Sequence, residues 1–387
     1  MQKTRFQRAL SYAGAMSGSR AFSAPFLVQI DVENMCNLSC IACWSNSPLL
    51  KEKRRHDSLS MDLGTFQSLS RDMGKMGVTR VELAGLGEPF LHPDIYEILE
   101  CIGRSALYST VVTNGTRIRT GSDVQRLCAS GLNELQVSLW AGSEGAYVKT
   151  HPSPDGRSLE NFARIVEALH EVRIEKRHGR TKLKINLVNI MMKLNADDIV
   201  NMAELATVLN VDKVIFREVS VFTETKQLSL EDNDKRIIRE CAGKAEAIME
   251  RAGIVNNLEA FLRSFRPGAE SKDDEEKTNG NLSDLPYKRR CMVGWNLCRI
   301  AVDGNVTPCC HCGFNMGNVK KASLHDIWYS EKYDALRRHM LADLDDSSFC
   351  EACVRSCAEP KNLRGSAVYR FLDKYYFTRY IDKRRRP

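Results

Sequence analysis

The sequence predicts an α/β fold, a partial (β/α)6 barrel followed by a small cysteine-rich domain. Three observations predict it. Strand-like and helix-like segments alternate along residues 26–217. The cysteines gather into two groups, three at residues 36–43 and eight at residues 291–357. Between barrel and second group lies a charged run poor in apolar residues, 267–284 (PGAESKDDEEKTNGNLSD), which lacks the content to pack and reads as a linker or loop.

The first strand is expected at 26–32 (FLVQIDV), running directly into the first cysteine group. The second includes 81–83, the third spans 108–113 (YSTVVT) and the fourth 134–139 (ELQVSL). The fifth, 182–190, opens with Leu183, Ile185 and Leu187 alternating against Lys182, Lys184 and Asn186, and the sixth is 211–217 (VDKVIFR). Helical patterns separate them; Ile199, Met202, Ala206 and Leu209 lie on one face. Strands alternating with helices imply right-handed crossovers and a parallel sheet, and six such units curl into a partial barrel with its active site at the C-terminal strand ends. The expected organisation is an N-terminal extension (1–25), the barrel (26–266), a charged linker (267–290), the cysteine-rich domain (291–360) and a basic, aromatic tail (361–387).

Composition bounds the function. Of 387 residues 43% are hydrophobic and 27% charged, which excludes global disorder. No stretch approaches the ~20 apolar residues that span a bilayer, and residues 1–24 lack the apolar core of a secretory signal. The expected location is the cytoplasm. The net charge of +7 owes part of its size to Lys383, Arg384, Arg385 and Arg386, a solvated tail as readily as a nucleic-acid contact, so nucleic acid is not the expected partner. In a reducing compartment clustered cysteines point to metal rather than to disulfides. Cys101, Cys128 and Cys241, scattered in helix-like segments, are expected to be small buried hydrophobes.

Cys36, Cys40 and Cys43 form C-x3-C-x2-C in the loop after the first strand. Thiolates are soft ligands suited to zinc or iron–sulfur sites. Structural sites of either kind want four ligands, and three thiolates without an adjacent fourth leave one metal position open, a catalytic arrangement. In spacing, position and flanks (DVENMCNLSCIACW) this loop resembles the radical S-adenosylmethionine superfamily. The resemblance implies a 4Fe–4S cluster on Cys36, Cys40 and Cys43, with the amine and carboxylate of S-adenosylmethionine chelating the fourth iron. One position departs: many members carry an aromatic residue before the third cysteine, against the adenine, where this chain has Ala42, with Trp44 following Cys43.

Other segments resemble cofactor-binding elements of the same family. Gly87, Glu88 and Pro89 after the second strand resemble its Gly-Glu-Pro element, whose carbonyls and carboxylate would receive the methionine ammonium; Gly permits close approach and Glu88 supplies a charge-assisted acceptor. Asn114, in a Thr-Asn-Gly end to the third strand, and Ser138, ending the fourth, are expected cofactor contacts, plain turn chemistry being the alternative. Arg217 and Glu218 at the sixth strand's end would face the same mouth, for a carboxylate or substrate contact or as a simple ion pair.

The second group resembles the C-terminal extension called SPASM, or its shorter relative twitch: Cys291, then Gly304 and Cys309, later Cys350-x2-Cys353, with DGNVTPCC and GNVKKASLHDIWYSEKY between. This implies a β-hairpin and a later helical segment holding an auxiliary 4Fe–4S cluster on Cys291, Cys309, Cys350 and Cys353. Cys298, Cys310, Cys312 and Cys357 remain, enough with those four for a second auxiliary cluster, although the spacing after Cys353 departs from the longer pattern. The resemblance implies an oxidoreductase-type enzyme that cleaves S-adenosylmethionine reductively, with an electron donor such as flavodoxin or ferredoxin, and abstracts a hydrogen atom from its substrate. Only 25 residues precede the first strand, few for a peptide-recognition domain, so the expected substrate is a small polar metabolite, sugar or aminocyclitol-like, oxidised or epimerised. Maturation of a ribosomally made peptide, RNA modification and a non-catalytic iron–sulfur sensor are the alternatives.

Overall fold

In a computed structural model of the chain, residues 2–341 are described apart from 52–56, 106, 154, 222, 266–292 and 311. Cys291, Cys350, Cys353, Cys357, the charged linker and the basic tail lie outside the described residues.

Six parallel strands follow the expected alternation: β1 (Leu27–Ile30), β2 (Arg80–Leu83), β3 (Tyr108–Thr113), β4 (Glu134–Ser138), β5 (Lys184–Met191) and β6 (Lys213–Glu218). The helices between them start and stop where the sequence says they should. Asp62 caps α2 (Leu63–Met76) through the Thr65 amide at 2.8 Å, and Asn210, at φ 51°, ends α7 (Ile199–Leu209) in the left-handed region that Asn tolerates. Cys101, Cys128 and Cys241 are half-buried on helices and packed against the core, as small hydrophobes would be.

Strand alternation divides the sheet into two faces. Val81, Leu83, Val111, Leu135, Val137, Leu187, Val214 and Phe216 are buried in the main core that the helices cover. The opposite, concave face is polar: Gln29 donates to Glu82 at 3.0 Å, and Glu134 accepts from Tyr108 at 2.7 Å, Thr110 at 3.2 Å and Arg80 at 3.4 Å.

The sheet goes further than the six units. β7 (Val255–Asn256) extends it beyond β6, while β8 (Leu297–Ile300) pairs in parallel with β1, with Val28 opposite Cys298 and Gln29 opposite Arg299. β9 (Asn305–Thr307) and β10 (Gly317–Asn318) then add antiparallel strands. The ten strands run β10-β9-β8-β1-β2-β3-β4-β5-β6-β7 without closing, so the barrel is partial, with six parallel units at its centre. The expected boundary at residue 291 is therefore no break in the sheet, because the cysteine-rich segment opens with a barrel strand. Cys298 is a fully buried core residue of that strand, and burial pushes its thiol up to about 12.

Residues 1–25 are more than an extension. α1 (Gln2–Ser17) lies on the turn before β8, where Ser11 Oγ donates to the Trp295 carbonyl at 3.0 Å and Trp295 Nε1 to that of Arg20 at 3.0 Å. On the same side α10 (Leu324–Trp328) and α11 (Glu331–Leu341) are tied down by Arg337. Its fully buried guanidinium donates to the carbonyls of Gly294 and Trp328, both at 2.8 Å, and lies against the rings of Trp328 and Tyr333. Both ends of the described chain thus brace the sheet where β1 and β8 begin.

Candidate active site

The loop carrying Cys36, Cys40 and Cys43 is fixed from both sides by backbone and buried polar groups. Glu33, just after β1, accepts the amides of Asn34 and Met35, each at 2.9 Å, and the hydroxyl of Ser60 at 2.5 Å. Asn34 accepts the Leu59 amide at 2.9 Å and donates to the Asp57 carbonyl at 2.7 Å. Farther along, Ser39 N and Ile41 N donate to the carbonyls of Pro152 and Thr150 at 3.3 and 3.0 Å, so the end of α5 (Glu144–Thr150) and the residues after it hold the loop. Sequence reasoning missed these supports because most join an ordinary polar residue or a backbone amide to a partner distant in the chain.

The three thiols are free and half-buried. Burial, with the neighbouring charges of Glu88 and Cys43, pushes Cys36 up to about 11, and burial together with Cys36 and Cys43 holds Cys40 well above the ordinary range. Three soft ligands within electrostatic reach of one another, two disfavouring their bare anions, suit a cationic centre that takes them as thiolates. Among the described residues no three His, Cys, Asp or Glu side chains converge on a single ion. A four-iron cluster does not ask this of them, since each cysteine binds a different iron.

β2 ends against this loop. Glu88 N donates to the Met35 carbonyl at 2.8 Å, and a Cβ on Gly87 would lie 2.5 Å from the carbonyl oxygens of Glu33 and Met35. Gly85 is as constrained, because its Cβ would fall 1.9 Å from Asp31 Oδ1, which is itself paired with Arg299 of β8. At Gly87 glycine is needed because two backbones approach so closely, and at Gly85 because the buried Asp31 carboxylate occupies the space.

Glu88 is buried between the ends of β2 and β3. It is 2% exposed; Oε1 accepts Thr113 Oγ1 at 2.6 Å and Phe90 N at 3.0 Å, and Oε2 accepts Asn114 N at 2.7 Å. Burial raises its pKa despite these donors. The carboxylate joins the ends of β2 and β3, and Pro89 is buried beside it in a short helical turn. Glu88→Gln would set an amide N–H against a buried donor and is expected to cost ~1–3 kcal/mol. A lowered unfolding midpoint with normal iron loading checks this; an unchanged midpoint shows that the brace is idle.

Asn114 is brought to the cysteines. Its Nδ2 lies 3.8 Å from Cys36 Sγ and 3.1 Å from Asn37 Oδ1, and its Oδ1 accepts Thr116 N at 2.9 Å. Ser138 is half-buried where β4 ends, opposite Val188. Arg217 is exposed near the end of β6, opposite Ile190.

A second apolar cluster fills this mouth. Met192, Val219 and Leu228 form its buried centre, and Ile41, Ala42, Trp140 and Ile190 pack against it. Behind it runs an aromatic stack, with His151 4.5 Å from Tyr147 and 4.8 Å from Trp140. Burial pushes His151 down to about 3, which keeps it neutral.

Residues 32–206 match the model of the radical SAM superfamily, and residues 291–357 that of the SPASM iron–sulfur cluster-binding domain. The chain belongs to the radical SAM superfamily, in the branch with a C-terminal SPASM domain. It is accordingly an enzyme that uses S-adenosylmethionine and 4Fe–4S clusters, auxiliary ones included. Among its relatives is the PqqA peptide cyclase of Ruegeria pomeroyi, 25% identical over 334 residues that cover 82% of this chain and 77% of the relative. Another is the AdoMet-dependent heme synthase of Methanosarcina barkeri, 25% identical over 320 residues, 79% of this chain and 82% of the other. Streptococcus suis SuiB, solved bound to S-adenosylmethionine, shares the fold: TM-score 0.59 and 17% identity over 81% of this chain and 68% of that one. Among the described residues no helix is long and apolar enough to cross a membrane.

Proposed function

We propose that this chain is a radical SAM enzyme that modifies a peptide. In this reading Cys36, Cys40 and Cys43 hold the catalytic cluster, and Cys291, Cys309, Cys350 and Cys353 hold an auxiliary one. The observation that carries the substrate class is the likeness to PqqA peptide cyclase over most of both chains. Loaded with its cluster and S-adenosylmethionine, the site supplies reductive cleavage and a hydrogen-abstracting radical; a low-potential donor such as flavodoxin or ferredoxin supplies the electron.

The chain's own residues supply position and exclusion. Asn114 places an amide N–H at Cys36, Glu33 and Asn34 fix the path of the cysteine loop, and the cluster of Met192, Val219 and Leu228 keeps water from its flank. The concave face below, lined by Gln29, Glu82, Thr110 and Glu134, offers polar contacts to a peptide segment entering the unclosed barrel.

A small metabolite is the second reading, favoured by the heme synthase likeness. Anaerobic incubation of the reduced, reconstituted enzyme with peptide and small-molecule fractions of a host extract separates the two. The peptide fraction is expected to raise 5′-deoxyadenosine formation and to yield a peptide of altered mass. Stimulation confined to the small-molecule fraction would replace the peptide reading with the metabolite one.

A further inference from the structure

We infer that Trp140 provides the aromatic face on which the adenine of S-adenosylmethionine stacks. The inference rests on membership of the superfamily and is independent of the peptide reading. A purine in this mouth needs a flat apolar surface beside the cysteine loop. The loop does not supply one between its second and third cysteines, where Ile41 and Ala42 pack as aliphatic residues against Met192, Val219 and Leu228. Trp140 packs against that same cluster, two residues past Ser138 and the end of β4.

Its conformation is unusual for the residue. Trp140 sits at φ 53°, in the left-handed region that bulky side chains rarely adopt. That geometry is enforced: the amides of Leu139 and Trp140 both donate to the Val188 carbonyl, at 3.2 and 3.3 Å, and Asn195 Nδ2 donates to the Trp140 carbonyl at 2.8 Å. Backbone strain held in place this firmly marks a side chain whose direction matters. The indole is half-buried, backed by His151 at 4.8 Å, and its Nε1 is buried without a hydrogen-bond partner.

The test is calorimetry with S-adenosylhomocysteine, which binds without being cleaved, on the full chain reconstituted anaerobically. Trp140→Leu keeps an apolar side chain but removes the ring, and is expected to weaken binding by about tenfold or more, as loss of base stacking does. Trp140→Phe is expected to stay within about threefold of the wild type, and iron content should be unchanged in both. Tryptophan emission provides a second measurement: the quench that S-adenosylhomocysteine causes in the wild type should vanish in Trp140→Phe although the ligand still binds. Wild-type affinity in Trp140→Leu would overturn the proposal. So would a loss in Trp140→Phe as large as in Trp140→Leu, or a quench that persists in Trp140→Phe and disappears in Trp44→Phe.

Discussion

Replacing Cys36, Cys40 and Cys43 together with Ala is expected to remove about four irons per chain and to abolish cleavage of S-adenosylmethionine. The fold should survive. The loop is held by Glu33, Asn34 and the carbonyls of Thr150 and Pro152, none of which needs a thiol. Circular dichroism and the remaining irons are therefore expected to match the wild type, so that lost cleavage is attributable to the ligands and not to unfolding. Iron analysis and chromatographic assay of 5′-deoxyadenosine under dithionite check both halves. Cleavage retained by the triple variant would end the assignment of these three residues. A variant that lost all its iron would show instead that the loop organises the whole chain.

Much of the barrel is legible in local pattern. The third strand has the expected bounds, the second contains 81–83 as expected, the other four differ by one or two residues at their ends, and Ile199, Met202, Ala206 and Leu209 lie on one buried face of α7. Local hydrogen bonding and binary patterning decide those elements, and both are readable within a window of ten or so residues. What was not legible depends on partners remote in sequence. β8 joins β1 because Leu297 and Ile300 bury beside Leu27 and Ile30, a contact across the charged linker that no window contains. α1 carries Gln7 and Ser11 on its buried side, where they bond to the carbonyls of Ala24 and Trp295, so its packing face does not read as apolar. Glu88 reads from its motif as a cofactor contact; that its carboxylate also ties β2 to Thr113 and Asn114, one strand away, is not readable locally. The substrate expectation leaned on the short N-terminal segment, and the likeness to a peptide cyclase outweighs it.

The other large effect is expected from Cys309→Ala combined with Cys350→Ala and Cys353→Ala. Cys309 is the described member of the proposed ligand set. It follows β9 directly, its carbonyl accepts Thr307 Oγ1 at 3.1 Å, and it is buried with Cys312 in the main core. The fully buried ring of Tyr333 lies close enough to feel the charges of Cys298, Cys312 and Cys309. Cys350 and Cys353 are about forty residues further along, so a cluster that takes all of them closes a long loop, and closing it should stabilise the segment substantially. The triple variant is expected to lose about four irons and to unfold this segment at lower temperature. The first site should remain, because β8 stays paired with β1 and Arg299 with Asp31, neither contact requiring the cluster. 5′-Deoxyadenosine formation should therefore persist while modified product disappears, a split between cleavage and outcome that iron analysis and mass spectrometry read separately. Normal iron content would assign the cluster to the other cysteines of the group. Normal product with reduced iron would confine the cluster's part to holding the β8–β9 hairpin against the edge that carries the catalytic loop.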